Sequence, residues 1–450
     1  MNVKIYPSRL DGVIDAIPSK SYAHRLLLCA ALADAPCRIN LAASSEDIDA
    51  TVRCIVATGA AVCKEKDGFK VTPVRKKTET SAEVKTLDCG ESGTTLRFML
   101  PAVCAVGGRA VLTGKGRLPE RPIGGLADCL VSAGIRLSSD RLPIEVSGIL
   151  TAGEYEIAAD VSSQYVSGML IALASLDAPS RLRLKGRAVS SGYTDMTLDV
   201  LEKFGAKITR ENDGYLIAGG GLHSPGSITT EGDWSNAAFW LAAGALNGDV
   251  TVCGLNFASR QRDSAIAEIL REMGADIRTC ADGLSLSDVH GAKRRSNGNA
   301  YLGNNAVSAD ISARAVRAVK SSLRAVTVDI TDIPDLAPIL SVLMAAADGV
   351  SVMSGTERLR AKESDRLSAV IDNLTAAGIR TAAEKDILKI YGGTPLAFRA
   401  EGFGDHRMVM SACIAGSLCG GEVTDGGAVA KSYPAFYRDF ASLGGHYENI

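Results

Sequence analysis

Apolar residues recur along this chain at the i, i+3, i+4, i+7 spacing, and six of these runs stop at a glycine. Ile266, Ile269, Leu270 and Met273 precede Gly274, while Leu367, Val370, Ile371 and Leu374 precede Gly378. Such spacing puts the apolar side chains on one helix face, and a glycine past the last turn supplies a left-handed cap. Each run therefore predicts one amphipathic helix with its stop. Comparable segments end at Gly59, Gly134, Gly205 and Gly444, so successive stops lie 75, 71, 69, 104 and 66 residues apart.

A second series keeps step with the first. Small polar or charged residues open an apolar helix at Ser19-Lys20-Ser21, Ser92-Gly93-Thr94, Ser162-Ser163-Gln164, Trp234-Ser235-Asn236, Pro334-Asp335 and Asp405-His406-Arg407. Counted through Lys20, Gly93, Ser163, Ser235, Asp335 and His406, the spacings are 73, 70, 72, 100 and 71. Six units of about 70 residues, each with two helices, follow from the agreement. Short β-branched runs such as Val250-Thr251-Val252 and Ala325 to Ile330 supply strands between them, which predicts an α/β fold of repeated units. The long interval in each series overlaps the other between Gly274 and Asp335. An insertion is expected there, from His290 to Arg324, containing the cations Lys293, Arg294, Arg295, Arg314, Arg317, Lys320 and Arg324; a solvated loop followed by a surface helix is the plainer reading, and a partner-docking or anion-funnelling arm the alternative.

A chain of 450 residues is too long for one ordinary core and predicts two domains. Hydrophobic residues at 46% and charged residues at 22% exclude disordered and fibrous classes. The net charge of −2 creates no global field toward nucleic acid, and aromatics at 5% are too few for base stacking. Eleven cysteines without a C-x-x-C pair argue against a disulfide framework and a structural zinc, and fit a reducing cytoplasm. The N-terminus lacks a signal-peptide pattern, and the richest apolar stretches fall short of the ~20 residues that span a bilayer. No membrane partner is expected.

Helix starts carry unpaired N–H groups and partial positive charge, so six of them grouped about a centre, with Lys20 and Arg407 among them, could bind a phosphorylated ligand. Six ordinary N-caps are the plainer reading of any single motif. Further cations lie in Gly114-Lys115-Gly116-Arg117-Leu118-Pro119-Glu120-Arg121-Pro122, too rich in Gly and Pro for a helix interior. Lys362-Glu363-Ser364-Asp365-Arg366 sets Lys362 and Arg366 four apart on one expected helix face, and Tyr433-Pro434 places Lys431 in a loop. No phosphate-binding G-x-x-x-x-G-K-[ST], nucleophile elbow or H-E-x-x-H occurs, and no two of the five histidines stand at metal-ligand spacing. No metal is expected.

Together, Pro18 to Arg25, Ser92 to Arg97, Leu118 to Pro122, Ser162 to Gln164, Ile333 to Asp335, Lys362 to Arg366, Asp405 to Met408 and Ala430 to Ser432 resemble the motifs of the 5-enolpyruvylshikimate-3-phosphate synthase family, in the family's order from residue 4 to about 443. The resemblance implies an enolpyruvyl transferase fold of two domains, each of three βαβαββ units about a pseudo-threefold axis. It puts residues 1–13 with 233–450 in one domain and 14–232 in the other, with the active site in the cleft between them. The implied reaction moves the enolpyruvyl group of phosphoenolpyruvate to the 5-hydroxyl of shikimate 3-phosphate, on the route to chorismate and the aromatic amino acids. The family needs no metal or organic cofactor, and a monomer is expected.

Carried over residue by residue, the resemblance implies that Lys20, Ser21, Arg25, Ser162, Ser163, Gln164, Ser190, Asp335 and Lys362 hold shikimate 3-phosphate. Lys20, Gly93, Arg121, Gln164, Arg366, Arg407 and Lys431 would hold phosphoenolpyruvate. Asp335 is the candidate base for the 5-hydroxyl, Glu363 the candidate acid and then base at the methylene carbon, and Lys20 the third catalytic residue. Glyphosate, an anion of similar charge, is expected to compete with phosphoenolpyruvate. Two positions depart from the family: Glu91-Ser92 stands where many members have Asn-Ala, and Arg358 where some have an asparagine. UDP-N-acetylglucosamine enolpyruvyl transferase is the nearest alternative, but its family carries a cysteine before an Arg-Pro pair, and Lys115 to Arg121 has none. A non-catalytic phospholigand-binding protein is the other alternative, opposed by the joint presence of Asp335 and Glu363.

Overall fold

The computed structural model describes residues 1–75, 83–121, 123–186, 191–279 and 314–450. Ser190, Pro122 and the larger part of the expected insertion lie outside the described residues. Among those described, the strands form six four-stranded sheets. The sheet of Val84–Asp88, Arg109–Thr113, Arg136–Leu137 and Ile144–Ser147 shows the shared plan: its first two strands pair in parallel across a helix, and the last two return antiparallel. That is the βαβαββ plan of the sequence repeats.

Both helices of each repeat explain themselves by burial. The helices opened by the polar series, such as Lys20–Leu32, Gly93–Ala105, Ser163–Ala174, Trp234–Asn247 and His406–Cys419, are buried on nearly every face. Those ended by glycine bury one stripe; in Glu46–Thr58 it contains Ile48, Thr51, Cys54 and Ile55. All six predicted stops, Gly59, Gly134, Gly205, Gly274, Gly378 and Gly444, have positive φ, between 76° and 114°. An L side chain resists that conformation, which is why the repeat is marked by glycine.

Two compact units result, Met1–Ile17 with Glu231–Ile450, and Pro18–Thr230, each with its own apolar core. The first crossing falls at Ile17 rather than Val13 because Leu10–Asp15 pairs along its full length with Gly248–Cys253. Within the other unit, Ser227–Thr229 pairs in parallel with Cys37–Asn40, so its first repeat borrows a strand from its last residues.

The insertion expected to end at Arg324 must be shortened. Residues 316–319 form no surface helix: Val316–Val319 is an inner strand, antiparallel to both Gly248–Cys253 and Asp276–Thr279. Val316 and Ala318 point into the core while Arg317 reaches Asp249, donating from Nε at 2.7 Å. The alternation has period two, so the segment belongs to the repeat itself.

The fold makes two glycines unequal. No atom lies within 4 Å of a methyl group placed on Gly134 at φ +82°, whereas one on Gly248 would collide with the Leu10 carbonyl of the neighbouring strand. Gly134→Ala should lose about 1 kcal/mol from backbone strain alone, and Gly248→Ala several-fold more. Urea unfolding midpoints that fall equally for both would contradict this packing.

Candidate active site

In the unit Pro18–Thr230, three helix starts carry the predicted residues. Ser19, Ser92 and Ser162 cap the helices that begin at Lys20, Gly93 and Ser163, each side chain accepting a backbone N–H from the first turn. Lys20 Nζ reaches Asp47 Oδ2 at 2.8 Å. Gln164 joins two of the starts: its Oε1 accepts from Arg97 Nη1 at 2.6 Å, and its Nε2 donates to Thr94 Oγ1 at 2.8 Å. Gly168 lets those helices approach, since a methyl group there would stand 2.5 Å from the Arg97 carbonyl. A methyl group on Gly93 would lie 2.7 Å from Arg97 Nη1 and 2.8 Å from Arg121 Nη1, so both guanidinium groups sit against the bare backbone of that residue.

Arg25 is placed differently from its neighbours. It is 2% exposed and lies 5.2 Å over the Phe98 ring. Its donors go to the Ser21 and Tyr193 carbonyls and the Thr197 hydroxyl at 2.7, 2.9 and 2.8 Å. Burial pulls its pKa down to about 10. Arg25 thus ties the start of the Lys20 helix to the helix Ser191–Lys203 from beneath.

The unit containing Glu231–Ile450 brings together Asp335, Lys362, Glu363, Arg366 and Arg407. Asp335 accepts from Lys362 Nζ at 3.2 Å, Arg366 Nη1 at 2.8 Å and Arg407 Nη2 at 3.0 Å. Arg366 also donates to Glu363 at 2.7 Å and, through Nε, to Asp405 at 2.7 Å. Burial opposes its charge, yet Asp405, Glu363 and Asp335 together hold its pKa well above the ordinary value. Burial pulls the Lys362 ammonium below its ordinary pKa, with Asp335 opposing and Arg366 adding to the shift. Lys431 donates to the Gly404 carbonyl at 2.6 Å, steadying the turn that leads into Asp405.

Three local expectations change. Lys362 and Arg366 do not share a helix face, because Asp365 caps a helix that begins only at Arg366 and accepts from the Ser368 N–H at 3.1 Å. The two cations meet at Asp335 instead. Asp335 itself stands in the turn before Ala337–Ala345, which has no side-chain cap. Lys431 ends a short 3-10 helix, Gly426–Lys431, rather than lying in an open loop. Of the two departures, Glu91 lays its carboxylate against Gly116, and Arg358 donates to the Thr331 carbonyl at 3.1 Å.

Asp47, Arg97, Asp263 and Asp405 escaped the sequence reading as site residues. Asp405 carried a signal, being the N-cap of the His406 helix and accepting the Arg407 N–H at 2.9 Å. Arg97 closes the Ser92 to Arg97 motif, whereas Asp47 and Asp263 carried no signal. Among the described residues no cluster of His, Cys, Asp and Glu could hold a metal ion, and no helix is long and apolar enough to cross a membrane.

Anion-ready helix starts in one unit and a cation–carboxylate cluster in the other, built on six repeats of one plan, suit the binding of negatively charged ligands. The profile of the family described as EPSP synthase (3-phosphoshikimate 1-carboxyvinyltransferase) matches residues 5–440. The chain belongs to this family. A relative from Clostridium botulinum (strain Eklund 17B / Type B), named 3-phosphoshikimate 1-carboxyvinyltransferase, is 33% identical over 99% of this chain and 98% of its own. A relative of the same name from Methanothrix thermoacetophila is 36% identical, again over 99% and 98%. The fold matches a solved EPSP synthase from Acinetobacter baumannii with TM-score 0.76 at 22% identity, covering both chains fully. The enolpyruvyl transferase NikO from Streptomyces tendae matches with TM-score 0.71 at 20% identity, over 100% of this chain and 98% of that one. As a member of the EPSP synthase family the chain is an enzyme, transferring the enolpyruvyl group of phosphoenolpyruvate to the 5-hydroxyl of shikimate 3-phosphate with release of phosphate. The shared name of the relatives favours this acceptor over the nucleotide sugar.

One buried carboxyl near this cluster gives the enzyme a pH signature. Asp263 is 4% exposed and bonded to the Ser235 hydroxyl, and burial, then the charge of Asp335, raises its pKa to about 6 from 3.8. Below pH 3.8 the carboxyl is protonated in both folded and unfolded chains and costs nothing; above about 6 it is charged in both, and its burial cost is complete. Asp263→Asn should therefore gain stability relative to the parent as pH rises through that window, by on the order of 3 kcal/mol. Denaturation curves at pH 4 and pH 8 showing the same difference between the two proteins would refute it.

Proposed function

We propose that the enzyme divides its task between the two groups of residues. Lys20, Ser21, Ser162, Ser163 and Gln164 hold shikimate 3-phosphate, with Arg25 fixing Ser21 from behind and Ser190 joining by resemblance alone. Asp335 and Lys362 complete the set at the reacting hydroxyl. Gly93, Arg121, Arg366, Arg407 and Lys431 hold phosphoenolpyruvate, which Lys20 and Gln164 also touch. Two multiply charged anions repel each other, so fixed cations must offset that repulsion before a bond can form.

In this reading Asp335 takes the proton of the 5-hydroxyl as its oxygen bonds to the substituted carbon of phosphoenolpyruvate, and Glu363 delivers a proton to the methylene carbon. Glu363 then removes a proton from the new methyl group while the carbon–oxygen bond to phosphate breaks, restoring the double bond. Lys362 steadies charge on the hydroxyl oxygen, and Lys431 on the departing phosphate. The observation that carries these roles is the shared grip of Arg366 on both carboxylates, at 2.8 Å to Asp335 and 2.7 Å to Glu363, which fixes base and acid to one rigid group. We take a reducing cytoplasm to be the site of action and the working enzyme to be a monomer.

Phosphate release should require both phosphoenolpyruvate and shikimate 3-phosphate, with UDP-N-acetylglucosamine unable to substitute. Asp335→Ala and Glu363→Ala should each lower kcat by a hundred-fold or more while ligand binding, followed by calorimetry, persists. Turnover close to the parent's in either variant would remove that residue from the mechanism.

Gly93→Ala supplies a separate check. Its methyl group must displace Arg97 or Arg121, both under 3 Å from the added carbon. The KM for phosphoenolpyruvate should rise several-fold, and competitive inhibition by glyphosate should weaken by more, because the more extended inhibitor has less slack against the same cations. Unchanged inhibition with an unchanged KM would mean that neither ligand approaches Gly93.

A further inference from the structure

Lys20 and His24 lie one turn apart on the helix Lys20–Leu32, and Asp47 and Thr51 lie one turn apart on Glu46–Thr58. The two turns meet in register. Lys20 Nζ reaches Asp47 Oδ2 at 2.8 Å, and His24 Nδ1 reaches Thr51 Oγ1 at 2.7 Å. From Thr51 the line continues to Thr95 Oγ1 at 2.7 Å, and from Thr95 to Ser92 Oγ at 2.8 Å. Thr95 also approaches the Asp47 carbonyl at 3.5 Å. His24, Thr51, Thr95 and Ser92 are each 3% exposed or less. One buried line of hydrogen bonds thus joins three helices, beginning one turn below Lys20 and ending on the cap of the helix that starts at Gly93.

Polar groups placed this deep cost stability unless every one is matched. A hydroxyl gives one proton and accepts at its lone pairs, so the members of such a line orient one another, and deleting one leaves two neighbours mismatched. Burial, with the nearby charges of Lys20 and Arg25, holds the His24 pKa well below its ordinary value. The imidazole therefore stays neutral, with Nδ1 on Thr51 and Nε2 buried without a hydrogen-bond partner among the described residues, so Thr51 is its one hydrogen-bonded anchor there. Neither end of the line is arbitrary, since each adjoins a group assigned above to the substrates.

We propose that His24, Thr51 and Thr95 are positioning residues for enolpyruvyl transfer: their hydrogen-bonded line sets the Lys20 ammonium against the start of the Gly93 helix. The inference rests on the roles given to Lys20 and Gly93, and the roles of the three residues are exerted through those groups, not on the substrates directly.

Thr51→Val keeps the shape and removes the hydroxyl, while Thr51→Ser keeps the hydroxyl and removes the methyl group. Thr51→Val should lower kcat/KM about ten-fold, through a reduced kcat as well as a raised KM, with far-ultraviolet circular dichroism unchanged. Thr51→Ser should restore the parent kinetics. A Thr51→Val enzyme with the parent's kcat and KM would overturn the proposal, as would a Thr51→Ser enzyme as impaired as the valine variant, since packing would then be the cause. Should Thr51→Val fail to fold, Thr95→Ala interrupts the same line from the other side and is judged by the same kinetic criteria. Lys20→Met, assayed alongside, separates the two levels: an active Lys20→Met enzyme refutes the role of Lys20 itself, whereas an inactive one beside a normal Thr51→Val refutes only the line.

Discussion

A guanidinium group with no solvent exposure has to be neutralised where it sits, and Arg366 imposes that demand on its whole surroundings. Stranding such a charge costs several kcal/mol, so its partners are as constrained as it is. Asp405, equally inaccessible, takes Nε at 2.7 Å and also caps the helix His406–Cys419. One carboxylate thereby fixes both the buried arginine and the helix start that carries Arg407. Asp335 then draws Lys362, Arg366 and Arg407 to a single carboxylate, although Arg407 comes from a different segment from the other two. Removing any one member leaves the others with unbalanced charge, which makes the cluster rigid.

Rigidity of this kind suits the reaction. Donors that are already oriented spend nothing on reorganisation when negative charge develops, and they act more strongly where water is scarce. The other unit reaches the same end by different means. There Asp47 fixes Lys20, Gln164 fixes Arg97, and the absence of a side chain at Gly93 lets two guanidinium groups lie against a helix start. Backbone N–H groups add partial positive charge at that end of the helix without adding a titratable group.

The repeat explains why helix starts are available for this purpose six times over. A βαβαββ unit buries its first helix on nearly all faces and leaves its second amphipathic, so the charged side chains of the first, such as Lys20, Arg25, Arg97 and Arg407, collect in its opening turns. Ser19, Ser92, Ser162, Asp233 and Asp405 stand at the starts of these helices and cap them. The sixth start, before Ala337, has no side-chain cap, and Asp335 beside it is spent on cations. At that one position the carboxylate serves an ion-pair cluster instead of a cap.

What the sequence determined by itself is the set of features that depend on neighbours within a few residues. The glycine stops, four of the helix caps and the period of the repeat were all legible, because a cap or a left-handed turn is settled by the residue at that point and the turn beside it. The same local logic failed at Lys362, where the capping side chain of Asp365 started the helix later than the charge spacing suggested, and at Val316–Val319, where period-two burial outweighed a run of cations. Family motifs named the cations of the site but not what holds them. Lys20 finds Asp47 at a separation of 27 residues and Arg407 finds Asp335 at 72, and no local pattern encodes either pair. Only the tertiary structure decides such partnerships, since the counter-charge of a buried ion is whichever carboxylate the packed helices carry out of water beside it.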